Sequence, residues 1–429
     1  MPQHPHAPQP LPAPQPVTGP MFPRRLVLGT FVPSFLFDVG LGAMLPIIVP
    51  AAVGRGADLA TAGVVAAMLP VGQILADVPA GQLAARVGDR RAMALAGVVA
   101  AGAFLAAALS PSLVLLAAAV LLTGAAAAVF NLARHAYLTE VTPPLRRARV
   151  LSTLAGVHRI GQFVGPFVGA GVIALAGLRA AFALGVVTAV LATVIVVAVG
   201  EDGDGGTLRQ RSAARRAARA AGEHLTLGGV LRAHRAVLST LGVAVLLVGA
   251  VRGARMTVLP LWSEHLGFDP ATTSLIFGLA GGVDMLLFYP AGRVMDLYGR
   301  LWIGVPSMLV MGVAMSLLPL TTTIGGVAVV AALLGLGNGM SSGILMTLGA
   351  DVSPDRGRAQ FLGLWRVLQD GGSAAGPLIV SAGAALGSLA AGIWVTAALG
   401  AAAAGAQARW VPRWSPHANR TTRRAAGIR

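Results

Sequence analysis

The sequence predicts an all-α membrane protein of twelve transmembrane helices, arranged as two parallel six-helix repeats. Three observations predict it. Apolar residues make up 55% of the 429 positions and gather in long runs. Arginines collect in alternate connections between those runs. The second half of the chain repeats the first at a single fixed offset.

The apolar runs lie near residues 26–50, 60–84, 91–109, 113–138, 149–176, 178–199, 236–262, 271–295, 301–321, 324–349, 359–387 and 388–407. Each is roughly 19–28 residues, long enough to cross about 30 Å of hydrocarbon as a helix. A mean hydropathy of +0.76 is too high for an ordinary soluble domain.

The formal net charge of +16 is carried by arginine alone, since the chain has no lysine. The arginines fall at Arg24 and Arg25, Arg86 to Arg91, Arg146 to Arg149, Arg209 to Arg235, Arg293 and Arg300, Arg356 and Arg358, and Arg409 to Arg429. The opposite connections hold only Arg55 and Arg179. Basic residues confined to one side of the spans predict cytoplasmic termini in the cytoplasmic (inner) membrane, and argue against a nucleic-acid partner. Cysteine is absent, which excludes disulfides and thiolate metal sites.

The opening MPQHPHAPQPLPAPQPVTGP lacks the basic-then-apolar order of a signal peptide, so residues 1–25 read as a disordered tail. Residues 200–235 begin with the acidic GEDGDGG and continue into a basic helix suited to anionic headgroups. They divide a first bundle, 26–199, from a second, 236–407. Residues 408–429 form a basic tail.

The offset is 211 positions without a gap. Gly56, Asp58 and Thr61 fall on Gly267, Asp269 and Thr272, and Pro79-Ala80-Gly81 on Pro290-Ala291-Gly292. Glu140-Val141-Thr142-Pro143 meets Asp351-Val352-Ser353-Pro354, and Gly161, Gly165 and Pro166 meet Gly372, Gly376 and Pro377. Six spans separate the copies, so both run the same way through the bilayer.

In the loop after the second span, GQLAARVGDRR supplies Gly81, Leu83, Arg86, Gly88, Arg90 and Arg91. This resembles the loop motif of major facilitator transporters. Ala85 stands where that family has an aspartate, and Asp89 where it has a base. The second copy keeps Asp296 with Gly292, Gly299 and Arg300. In the fifth span, Gly161, Gly165, Pro166, Gly169 and Ala170 resemble the motif of the proton-coupled drug antiporter branch. An arginine often present in the fourth span of such exporters is replaced by Val120. The resemblance implies alternating access, a small-molecule substrate, coupling to protons and no cofactor or metal. It also implies that helices one, four, seven and ten line a central cavity. On this reading the protein is a monomeric exporter of amphipathic molecules, with an uptake carrier of the same fold as the alternative. A membrane enzyme is disfavoured, because the histidines are scattered and no HExxH occurs.

Ionisable residues in the middle of spans tend to mark transport pathways and proton relays. Asp38 is the expected proton carrier, or else it is locked in a permanent salt bridge to Arg159. Arg159, His158 and Asp284 join it as proton-coupling candidates. Asp77 and Arg366 share a depth of roughly 10 Å, and Arg159 and Asp284 a depth of roughly 16 Å, at about 1.5 Å rise per residue. The facing of helices implied by the resemblance then gives two ion pairs across the seam between bundles, or static pairs within each bundle. Asp370 joins the Asp77–Arg366 group. Arg134 either contacts substrate or reaches for the interface. Arg252 and Arg255 either attract an anionic substrate or sit solvated in an outer vestibule. Phe35 and Trp262, with Phe37, Phe130 and Trp365, are expected at the cavity wall. The glycines of the fifth span are expected to make it a sliding seam between the two bundles.

Overall fold

A computed structural model describes residues 22, 24–199, 227–354 and 357–427. The proline-rich opening and the acidic start of the linker, with its basic helix, lie outside them. Among the described residues the chain is helical, with no strand.

Twelve long helices run back and forth: α1 Arg24–Val53, α2 Leu59–Val87, α3 Asp89–Leu109, α4 Leu113–Val141, α5 Pro144–Ala176, α6 Leu178–Ala198, α7 Arg235–His265, α8 Pro270–Tyr298, α9 Leu301–Leu317, α10 Ile324–Val352, α11 Arg358–Ala385 and α12 Leu389–Trp414. Eleven of them are apolar enough to cross a bilayer by composition alone. The exception is α11, whose first half carries Arg366, Gln369 and Asp370. It is nonetheless packed among α7, α12 and α2, so its polar groups face protein as well as water.

Helices are the structure this sequence must adopt in lipid, because they satisfy backbone groups within each segment. Five of the six even-numbered helices start with a side chain that caps the first turn: Asp58, Ser112, Asp269, Thr323 and Ser388. Asp58 accepts from the Thr61 amide at 2.8 Å, and Asp269 from the Thr272 amide at 2.9 Å. At the same end Arg55 donates to the carbonyls of Ala51, Ala107 and Ser110, tying the ends of α1 and α3 together. Arg55 was expected only as a loop charge; closing helix C-termini is its structural use.

Packing repeats with the sequence. α1 lies on α5 and α6 as α7 lies on α11 and α12; α2 meets α4 as α8 meets α10; α3 meets α4 and α6 as α9 meets α10 and α12. Two helix pairs make most of the contact between the halves, α2 with α11 and α5 with α8. Away from the chain ends, α1 residues 45–53 also reach α7, and Ile47, Ile48, Ala51 and Ala52 are buried there. The bundle is therefore closed at that end. At the end carrying the termini, α4 and α8 keep exposure: His135 is exposed and Met285 partly so.

Two departures from the expected boundaries matter. α10 breaks at Ser341–Gly343, where Gly343 has φ +78°, a conformation that favours glycine. The described part of the expected tail, residues 408–427, is not free: α12 continues to Trp414, and the chain then folds back. The Arg300 and Leu301 amides bond the carbonyls of His417 and Ala418, and Arg423 bonds the carbonyls of Asp296 and Leu297. The unpaired amides at the start of α9 give this segment a partner, which composition alone did not reveal.

Candidate functional site

Two cavities in the centre share Leu45, Gln162, Arg252, Arg255, Met256 and Asn338, and form lobes of one chamber. The larger, about 250 Å³, has an apolar wall that includes Leu41, Ile48 and Leu69. The smaller, about 170 Å³, is walled by His158, Arg159, Phe163 and Asp284.

Consecutive residues of α5 serve different halves. His158 turns into the first half, where Asp38 and Arg134 are both buried. Arg134 Nη1 donates to Asp38 Oδ2 at 2.8 Å. His158 Nδ1 lies 2.8 Å from Asp38 Oδ1 and 3.2 Å from Arg134 Nη2. Oδ1 has no other partner among the described residues. One ring nitrogen thus faces a donor and an acceptor. Without a proton on Nδ1 it accepts from Arg134; with one it meets the carboxylate. His158 is 31% exposed and lines the chamber, whereas Asp38 is fully buried.

Arg159 turns into the second half. Its Nη1 donates to Asp284 Oδ1 at 3.1 Å, Nη2 donates to the Ser342 hydroxyl, and the guanidinium lies 4.5 Å from the Phe288 ring centre. Asp284 Oδ2 accepts from Asn338 Nδ2 at 2.6 Å, and Arg255 Nη2 stands 3.7 Å from it. Arg252 Nε donates to Asn338 Oδ1 at 3.0 Å. The break in α10 directs Asn338 and Ser342 into this network. Irregular backbone at membrane depth is tolerated where it lines a cavity.

A third group spans the other seam. Arg366 reaches Asp77 of the opposite half at 3.4 Å and Asp370 on its own helix at 3.2 Å. Arg366 is 57% exposed, so this pairing is worth little beside the buried ones.

The two loop motifs do different work. In the second, Arg300 is buried and bonds Asp351 at 3.1 Å and Asp296 at 3.4 Å, while Asp351 also accepts from Ser415 at 2.8 Å. In the first, Arg90 donates to the carbonyls of Val196 and Val197 and closes the end of α6. Arg86 is exposed and Asp89 buried. Gly88 and Gly299, with φ of +92° and +106°, let the helix pairs turn within one residue and two residues respectively. Gly81 and Gly292 have open space around them.

The glycines of α5 do not face the other half. A Cβ on Gly161 would lie 2.7 Å from the Cβ of Asp38, one on Gly165 2.5 Å from the Val39 carbonyl, and one on Gly169 3.2 Å from Ala43 Cβ. All three pack on α1 of the same bundle, with Pro166 on the same helix. The seam face of α5 is aromatic: Phe163 and Phe167 sit over Gly282 and Gly278 of α8. Small residues are needed wherever backbones meet, and spacing alone did not say which neighbour.

Other expectations are corrected in the same way. Arg134 neither lines the chamber nor reaches for the interface; it is the partner of Asp38, and Arg159 is not. Trp262 donates to the Thr321 carbonyl at 3.2 Å at the closed end, away from the chamber. Phe35 is half-buried outside the chamber lining, Phe37 and Phe130 stack on each other at 4.3 Å, and Trp365 bonds the Leu345 carbonyl. Arg252 and Arg255 do line the chamber, and neither is left in a wet vestibule: Arg252 donates to Asn338 Oδ1, and Arg255 is buried with its Nη2 3.7 Å from Asp284 Oδ2. Asn338, Ser342, Gln162 and Gln369 went unnoticed in the sequence. The signal was a polar residue within an apolar run, and for α10 the string GNGMSSG.

The sequence matches the profile described as Major Facilitator Superfamily over residues 28–377 and 241–426. The chain belongs to that superfamily. Solved structures agree in fold. A peptide transporter of the POT family in complex with sulfate superimposes with a TM-score of 0.71 at 15% identity, covering 92% of this chain and 95% of that one. A D-xylose-proton symporter gives 0.67 at 14% identity, covering 92% and 98%. A nucleoside transporter gives 0.68 at 14% identity, covering 89% and 98%. No curated protein matched the sequence significantly. This major facilitator chain is an integral membrane transporter and not an enzyme.

Proposed function

We propose that the protein is a proton-coupled exporter of small amphipathic molecules, resident in the cytoplasmic membrane with both termini in the cytoplasm. The observation that carries this reading is the adjacency of His158 and Arg159. One touches the buried Asp38–Arg134 pair of its own half, and the other bridges to Asp284 of the opposite half.

A proton that enters the chamber reaches His158 first, because it is exposed there and Asp38 is not. Protonation at Nδ1 ends its acceptance from Arg134 and draws the ring to Asp38. This re-seats the turn of α5 on α1. Arg159 is the next residue on that turn, so its reach to Asp284 and Ser342 changes with it. A pair made in only one state biases the rocking of the halves. The proton gradient supplies about 2.3 kcal/mol per charge per 100 mV. The apolar wall of the larger lobe suits the body of an amphipathic substrate, and the α5 motif supports export.

The test uses purified protein in liposomes with a pH dye inside and a panel of amphipathic compounds added outside. Exchange predicts that entry of a transported compound raises internal pH. Asp38→Asn is expected to abolish that change. A fall in internal pH would instead favour symport, the mode named for the D-xylose neighbour. Transport of a compound with no pH change at all would refute proton coupling.

A further inference from the structure

We infer that the smaller lobe binds the anionic head group of the substrate, a carboxylate or phosphate, in exchange for the contacts of Asp284. The inference deepens the proposed function by naming the substrate's charge, and it rests on that reading for the site's role in transport.

Arg159, Arg252 and Arg255 line the smaller lobe with a single carboxylate, Asp284. His158 also faces the lobe, but the charges behind it, Asp38 and Arg134, balance each other. The Asp77–Arg366–Asp370 group lines neither lobe through its charged side chains. The lobe therefore holds two guanidinium charges in excess.

Hydrogen bonding points the same way. Arg255 is 94% buried by its 6% exposure, yet among the described residues its Nε has no acceptor and its Nη2 finds only Asp284 at 3.7 Å and a weak thioether. Among the described residues Arg252 bonds only the Asn338 amide oxygen. Buried guanidinium groups normally find carboxylate or phosphate oxygens, which match their forked donors. Here the donors converge on the lobe beside Met256 and Phe277, and one carboxylate serves Arg159 and Arg255 together. An entering anion supplies the missing acceptors. It also competes with Asp284 for Arg159, so occupancy loosens the bridge between halves. The apolar wall of the adjoining lobe takes the rest of the molecule, giving an amphipathic acid as the ligand class.

Thermal unfolding of the purified full chain in neutral detergent, at fixed ionic strength, tests this without any transport. Octanoate, benzoate and hexyl phosphate are titrated against hexanol, benzamide and octylamine. At least one of the acids is expected to stabilise the protein at concentrations where its neutral and cationic counterparts do not. Arg255→Gln and Arg252→Gln should each weaken acid binding roughly ten- to hundredfold, the scale of one lost charge-assisted hydrogen bond. Asp284→Asn removes the competitor and should tighten it, an effect that a merely structural role would not produce. Arg255→Lys serves if the glutamine variant does not fold; it keeps the charge and loses the fork, and should weaken binding to a lesser degree. The inference is overturned if the amine or neutral compounds stabilise as well as the acids, if no acid stabilises, or if Asp284→Asn weakens acid binding. A protein that binds acids but moves no protons would fail the proposed function and leave this inference standing.

Discussion

Replacing Arg159 by alanine removes the less exposed of the two ion pairs described between the halves. Two charge-assisted donors are lost, one to Asp284 at 3.1 Å and one to Ser342, along with the cation–π contact to Phe288. The two partners are 22% and 13% exposed, so the pair is only partly screened. Asp284 keeps Asn338 and the distant Arg255, and its carboxylate is not orphaned. The cost to this conformation is then about 1.5–3 kcal/mol, the scale of hydrogen bonds to charged groups. If the pair belongs to this state alone, the ratio of states shifts roughly ten- to hundredfold away from the form open at the terminal end. The native chain has no cysteine, so spin labels can be placed at Arg86→Cys and Leu297→Cys, exposed positions on that end in opposite halves. Pulsed electron–electron resonance should show the shorter-distance population rising in Arg159→Ala. The exchanged pair, Arg159→Asp with Asp284→Arg, should recover only part of the shift, because Arg255 would then face a second cation. An unchanged distance distribution in the alanine variant would refute the coupling of this pair to the opening of the halves.

Gly161→Val should lower thermal stability by about 1–3 kcal/mol and disturb proton coupling together, since the new side chain strikes Asp38 and the Phe35 carbonyl; wild-type coupling in that variant would show that α5 and α1 need not fit closely. Arg300→Ala leaves the largely buried Asp351 with only Ser415 among the described residues and should cost roughly 3 kcal/mol, the lower end for a broken buried pair, while Arg86→Ala at the matching loop should leave the melting temperature unchanged. Asp269→Ala removes a helix cap worth about 1 kcal/mol. The Thr272 hydroxyl and amide hold the Asp269 carboxyl below its ordinary value. Its contribution is therefore complete above the unfolded-state value near 4. It is lost as pH falls through the lowered native value, so wild type and variant should melt together only in strong acid.

Much of the architecture was legible because lipid leaves the backbone few choices. Run lengths, arginine-bearing connections and the offset of 211 positions were enough for twelve helices in two like halves, and the contacts of α1 to α6 recur in α7 to α12. Depth along a helix could also be read: Arg159 and Asp284, like Asp77 and Arg366, were matched by rise per residue and stand in contact. Rotation about the helix axis could not. In a span apolar all round no stripe marks an inner face, so the glycines of α5 gave a close approach without naming α1 as the neighbour.

The order of residues by itself determined that the chain crosses a membrane, that its second half repeats the first, and which of its charges interrupt the apolar spans. Those properties depend on order along one dimension. Tertiary structure decided the partners. Arg134 and His158, from α4 and α5, meet around Asp38, and the break in α10 brings Asn338 and Ser342 to Asp284 and Arg159. Such meetings depend on how the helices are turned against one another, and that is set by the shapes of many side chains packing at once.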